Sequence, residues 1–195
     1  VVELKVTDNE GATASSNKTI TVSAALPTLT LLPAVNPSNT VNGINYQYFE
    51  GIWSLLPAFG SLTENKSGIA NNFDISLANT TDNFGFSFTG YINVPADGEY
   101  TFYTTSDDGS KLYIDNIEVV DNDGLHAAIE RSGKIGLKAG KHAITAVFFE
   151  RTGEQVFNVS YESATIAKQS VPNSALYRVN GITLLPAVNP SNTTP

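Results

Sequence analysis

Two carboxylates, Asp107 and Asp108, stand next to each other in the stretch "TTSDDGSKLYID". The residues around them alternate as in a strand, where neighbours point to opposite faces, and adjacent like charges repel. An acidic pair in such a place either caps the backbone amides of a solvated turn or converges on a partner. Gly109 follows directly and removes the steric obstacle to a sharp turn. Other chemistries are poorly supplied. The chain has no cysteine, which excludes disulfides and thiolate metal sites, and its two histidines, His126 and His142, are far apart in sequence. A His-based zinc site or catalytic triad is therefore not expected. Glycoside hydrolysis needs two carboxylates on separate elements about 5–9 Å apart. No second acid is placed for that role, so an enzyme is not expected. "DNDG", Asp121 to Gly124, mimics the start of an EF-hand loop but lacks its spaced acids and terminal glutamate, and reads as a turn.

The formal net charge of −8 argues against nucleic acid, since nothing here neutralises a row of phosphates. It suits a soluble protein in salty medium or one that binds divalent cations. No apolar run approaches a membrane span, so membrane insertion is not expected. The chain starts at Val1 and contains no methionine, which reads as a segment of a longer protein.

The elements that must position the pair read as strands. "NFGFSFTGYINV" puts Phe84, Phe86, Phe88, Ile92 and Val94 on one face and Ser87, Thr89, Tyr91 and Asn93 on the other. An Asp97-Gly98 turn leads into a strand with Tyr100 and Phe102 inward, and "KLYIDNIEVV" is a hairpin around Asp115-Asn116. "KHAITAVFFER" and "QVFNVSYE" supply two more strands, and no stretch has helical periodicity. The fold class is all-β, an antiparallel β-sandwich. Trp53, Phe59, Tyr100, Phe102, Leu112, Tyr113, Phe148 and Phe149 read as core. Glu50, His126, Glu130, Arg131 and Glu150 read as a polar network that pins loops.

Residues 1–25 form two strands around an Asp8–Gly11 turn, too few to bury a core alone, and resemble the last strands of Ig-like modules of the polycystic-kidney-disease and bacterial types. Residues 26–40 are rich in Pro, Ser, Thr and Asn and read as a linker. Residues 41–180 are the main domain, and 181–195 the start of a second linker. "TLLPAVNPSNT" occupies Thr30–Thr40 and recurs unchanged at Thr183–Thr193. Such a repeat implies tandem units, the arrangement in which weak sites gain avidity.

"INYQYFEGIWSLLPAF", "FGFSFTGYINVPADGEYTFYTTSDDGSKLYIDN", "LKAGKHAITAVFFERTG" and "SALYR" together resemble the protective-antigen domain family, over nearly all of Ile44 to Arg178. That family is a fourteen-kilodalton, jelly-roll-like β-sandwich module found in bacterial glycosidases, yeast flocculins and fungal epithelial adhesins. Its sugar-binding members hold calcium between two vicinal aspartates, so the resemblance implies calcium at Asp107 and Asp108. It also implies a cis peptide between them, which folds both side chains to one side. Calcium takes six to eight oxygen ligands. The relatives complete the shell from a second loop, here "ERTGEQV", Glu150 to Val156. The amide of Gln155 and the carbonyls of Arg151 and Gly153 are the candidates, although the fungal asparagine pattern is absent from this loop. The expected function is a calcium-dependent lectin module, monomeric within a tandem array, of a secreted or cell-surface bacterial adhesin. Its partners are glycans with vicinal diols, bound through Asp107, Asp108, Gln155, Arg151 and His126. The alternatives are a calcium-stiffened spacer that binds nothing and an accessory module of a glycosidase.

Overall fold

A computed structural model describes residues 2–18 and 29–181. The rest of the N-terminal strand reading, most of the 26–40 segment's start and the second repeat copy lie outside the described residues. Strands β1 (Val2–Thr7) and β2 (Thr13–Lys18) pair with each other, closed by a turn in which Asp8 Oδ1 accepts the amides of Glu10 and Ala12. Along the main domain run β3 (Thr40–Asn42), β4 (Ile44–Glu50), β5 (Lys66–Ala70), β6 (Phe84–Val94), β7 (Gly98–Asp107), β8 (Ser110–Ile114) and β9 (Ile117–Asn122). They are followed by β10 (Ile129–Leu137), β11 (Gly140–Glu150), β12 (Val156–Ser163), β13 (Ile166–Ser170) and β14 (Leu176–Val179). The only helices among the described residues are three single 3-10 turns.

The strands of the main domain, β3 to β14, form two antiparallel sheets, as the alternation predicts. The smaller has the order β10-β7-β12-β13, and the larger β3-β14-β6-β11-β8-β9, with β4 also paired to β6 and β5 to β4. The aromatic row at even positions of β6 faces the other sheet. Phe84, Phe86 and Phe88 are fully buried with Tyr100, Phe102, Ile144, Ala146 and Phe148 in one cluster. Each buried Phe contributes on the order of 2–3 kcal/mol. Phe49, Leu56, Phe59, Tyr113, Val147 and Phe149 form a second cluster, against which Trp53 is only partly buried. It lies on the opposite face of the larger sheet, because Val147 and Phe149 alternate with Ala146 and Phe148 along β11.

Register decides where the chain crosses between sheets. Phe148 pairs with Ser110 and Val156 pairs with Asp107. The β7–β8 turn and the β11–β12 loop therefore cross at the same end of the sandwich, one carrying Asp107-Asp108 and the other starting at Glu150. The β9–β10 loop arrives there too, because Ile129 pairs with Ser106.

Gly133 holds that last loop in place. A Cβ on this residue of β10 would lie 1.7 Å from the carbonyl oxygen of Val119 on β9, so only glycine lets the two sheets touch there. Gly133→Ala is expected to cost ~2–3 kcal/mol, read as a lower melting temperature. An unchanged melt would show that the contact does not hold the sheet edges together.

Candidate functional site

The peptide between Asp107 and Asp108 is cis, as the resemblance implies. One carboxylate oxygen each from Asp107, Asp108 and Glu150 lies within 4.8 Å of the others. All three residues are buried, Glu150 completely. Glu150 takes this place because it continues the core-facing row of β11. It pairs with Phe84 one row beyond the Phe148–Phe86 pair, where the apolar core gives way to the mouth between the sheets.

Asp108 ties two loops together. Its Oδ1 accepts the amide of His126 at 3.1 Å and its Oδ2 that of Arg151 at 2.9 Å. This is the amide capping open to any turn aspartate, yet each carboxylate oxygen keeps a second lone pair. Glu150 differs, since neither of its carboxylate oxygens has a hydrogen-bond partner. Burial first, and then the charges of Asp108, Asp107 and Asp82, push its carboxyl up to about 8. The nearby Asp108 amide opposes this weakly without reaching hydrogen-bond geometry. Asp107 is also raised, by burial and then by Asp108, against the Ala128 amide and His126.

A buried, unpartnered carboxylate beside two more is costly unless something neutralises it. The donor set is all oxygen, with no sulfur or imidazole, which suits a hard divalent cation rather than zinc or copper. These three residues can hold a metal ion.

The other expected ligands lie around this group. The Gln155 side chain donates through Nε2 to the Thr81 carbonyl at 2.5 Å. The Gly153 amide faces Asp82 Oδ1 at 3.4 Å, with φ +118° at Gly153. The Arg151 carbonyl accepts the amide of Asn83 at 3.0 Å, and its guanidinium donates to Ser54 Oγ at 3.0 Å. His126 is half-buried, with Nδ1 3.1 Å from the Ala127 carbonyl and Nε2 3.0 Å from that of Asn122. Arg151 and His126 thus reach Asp108 through main-chain amides, while Gln155 and Gly153 turn towards Thr81 and Asp82.

Glu150 is the residue that reading for loop-pinning networks misassigns, for it pins nothing by hydrogen bonds. The usable signal was its parity: Ile144, Ala146 and Phe148 face the core, and the next residue on that face is a carboxylate. Of the other acids in that group, Glu130 pairs with Lys168 at the surface and Glu50 accepts the Tyr48 hydroxyl at 3.0 Å. The "DNDG" acids are engaged structurally. Asp121 pairs with Lys111, and Asp123 Oδ1 accepts the amides of Leu56 and Gly124.

The PA14 domain family matches residues 41–175. The chain belongs to the PA14 domain family. The anti-sigma-I factor RsgI3 of Acetivibrio thermocellus is 30% identical over 101 residues, 51% of this chain, and the chain spans only 16% of that relative's length. An anti-sigma factor domain-containing protein from Clostridium clariflavum superposes with TM-score 0.61 at 27% identity, covering 74% of this chain and 49% of that one. A PA14 sugar-binding domain from an RTX adhesin superposes with TM-score 0.59 at 15% identity, covering 71% of this chain and 99% of the other, which speaks for a shared fold. In this PA14 domain the three-carboxylate group lies at the end of the sandwich where β7, β8, β11 and β12 meet.

Proposed function

We propose that this PA14 domain is a calcium-dependent carbohydrate-binding module of a secreted or cell-surface multidomain adhesin. The observation that carries the reading is the buried Asp107, Asp108 and Glu150 group with its unpartnered Glu150 carboxylate. Those three residues hold the ion. Gln155, whose amide nitrogen is already engaged, offers its amide oxygen, the Gly153 main chain offers a carbonyl, and the Arg151 carbonyl, which accepts the Asn83 amide, offers its second lone pair. Calcium, when bound, presents coordination positions that two vicinal sugar hydroxyls can fill in place of water.

The chain's own residues shape what surrounds those positions. His126 and Arg151 border them on loops tied to Asp108, and their side chains are the polar candidates for contacting a sugar. Ile52, Leu55 and Leu125 are exposed apolar side chains on neighbouring segments. The Arg151–Ser54 and Asp123–Leu56 bonds hold the first of these segments against the site. An apolar rim beside a diol-binding ion matches a pyranose ring, which has both hydroxyl edges and C–H faces. The RTX adhesin domain, described as sugar-binding, gives the same reading a precedent on this fold. Affinity per site is weak, roughly millimolar or about −4 kcal/mol, and repetition of units raises it. The partners are glycans, and the module binds without catalysing a reaction.

A calcium-stiffened spacer is the second reading, favoured by one observation: both Asp108 oxygens already cap backbone amides. A glycan array probed with calcium and then with a chelator separates the two. Glycan signal that disappears with the chelator is expected. Equal signal in both conditions would remove calcium from the mechanism. Absence of signal together with a calcium-raised melting temperature would establish the spacer.

A further inference from the structure

The segment before the sandwich has the composition of a linker, but its contacts are those of a structural element. Leu32 donates its amide to the Gly136 carbonyl and accepts the amide of Lys138 on its own carbonyl, both at 2.9 Å. Val35 and Asn36 donate their amides to the Lys141 carbonyl at 2.9 and 3.3 Å, and Asn36 Oδ1 accepts the amide of Lys141 at 2.9 Å. The Leu32 side chain packs on the main core. The β10–β11 turn is shaped to receive this segment. A Cβ at Gly136 would lie 2.3 Å from the Thr30 carbonyl oxygen, and one at Gly140 would lie 2.6 Å from Asn36 Oδ1 and 2.7 Å from the Ala34 Cβ. Two glycines in "GLKAGK" thus leave room for the residues that cross them. The Leu32 packing, the Asn36 side-chain bond and the small Ala34 are set by the sequence "TLLPAVNPSNT", and that sequence occurs twice in the chain, at Thr30–Thr40 and at Thr183–Thr193.

The geometry points to "TLLPAVNPSNT" as a docking clip that belongs to the sandwich following it, so that the copy at Thr183–Thr193 docks on the β10–β11 turn of a second copy of this unit. The clip's partner is thus a second sandwich of the same kind. Docking of the second copy on its own sandwich is disfavoured on two counts. The first copy already fills the groove. In addition, the Asn180 amide is bonded to the Asn39 carbonyl at 2.7 Å, so the chain leaves beside the far end of the first clip. To enter the same groove in register, the second copy would have to travel back past that clip within Gly181 and Ile182. A second sandwich requires no such return. Consecutive units are then joined by Gly181 and Ile182 alone, a reach from Asn180 to Thr183 of at most about 10 Å. Neighbouring sandwiches in a tandem chain are held close together rather than strung on a flexible linker.

The test uses the full chain with its first clip disabled. Leu32→Asp places a charge where Leu32 meets the core. Amide exchange at Lys138, whose acceptor is the Leu32 carbonyl, is expected to lose protection in dilute protein. At high concentration the variant is expected to associate to about twice its mass or more in sedimentation, with Lys138 protection regained, because Leu185 and its neighbours enter the vacated groove of another copy. Leu32→Asp/Leu185→Asp is expected to stay monomeric and unprotected, and Leu185→Asp alone to keep Lys138 protected. If aspartate at position 32 unfolds the chain, Leu32→Ala, with and without Leu185→Asp, provides the same comparison. Lys138 remaining protected in the dilute single variant but unprotected in the dilute double variant would show that the second copy docks on its own sandwich, and would overturn the proposal. A single variant that stays monomeric and unprotected at every concentration, like the double variant, would overturn the assignment of the second copy.

Discussion

Asp107→Asn is expected to weaken calcium binding by about two orders of magnitude, ~3 kcal/mol, and to abolish calcium-dependent sugar binding with it. Asp107 is the better residue for this test than Asp108. The Asp108 oxygens also hold the amides of His126 and Arg151, so changing it loosens two loops as well as removing a charge. Asparagine keeps the shape of Asp107 and removes only the charge. In the metal-free protein that removal is favourable. With Glu150 protonated, the charged Asp107 and Asp108, whose oxygens lie within 4.8 Å, repel each other by about 3–4 kcal/mol at an effective dielectric near 20. The expected pattern is therefore a crossover. In chelator the variant melts at or above the wild-type temperature, and in millimolar calcium it melts below. Calorimetric titration gives the affinity, and differential scanning the two melts. A variant that binds calcium as tightly as wild type would place the ion elsewhere.

The second large effect belongs to Glu150. Its carboxyl sits at about 8 in the folded metal-free protein, against an ordinary value of 4.5. A raised carboxyl favours the protonated form, so its contribution to stability is complete below about 4.5 and is lost as pH rises towards about 8. Within that window the slope approaches ~1.4 kcal/mol per pH unit. Metal-free protein should thus be less stable at pH 8 than at pH 5.5, an unusual direction for an acidic protein. Calcium binds the ionised form, so the stabilisation it adds should grow with pH across the same window and level off above about 8. Glu150→Gln should remove most of the metal-free slope, leaving only the part due to Asp107, whose shift has the same sign. It should also weaken calcium by an order of magnitude or more, ~1.4 kcal/mol at least. Melting temperatures of both proteins across pH 5 to 8.5, with chelator and with calcium, test this. An unchanged slope in the variant would mean that Glu150 is not the titrating group.

Period-two alternation in "NFGFSFTGYINV" and "AITAVFFE" was enough to identify a sandwich and most of its core, because a strand's inward face is set by local sequence. The adjacency of Asp107 and Asp108 was likewise visible, since it breaks that alternation. Contacts that depend on register between distant strands were not visible. Glu150 joins the aspartates only because Phe148 pairs with Ser110 while Val156 pairs with Asp107, and no local pattern states either pairing. Phe59, Tyr113 and Phe149 were recognisable as buried, but not as a separate cluster on the other face of the larger sheet. Trp53 reads as core but is only partly covered, because it lies on a segment that laps over the second cluster rather than between the sheets. Proline, serine, threonine and asparagine make residues 26–40 read as a linker, of which the structure describes the part from Leu29. Composition does not reveal that Gly136 and Gly140, about a hundred residues away, leave space for them.

The most direct test is a crystal of the protein grown with calcium and a simple sugar bearing a vicinal diol, with the ion located by its anomalous signal. One calcium is expected, with carboxylate oxygens of Asp107, Asp108 and Glu150 about 2.3–2.6 Å from it and two sugar hydroxyls completing its shell. A sugar bound away from these residues, or calcium that leaves Glu150 uncoordinated and takes no hydroxyls, would contradict the proposed site.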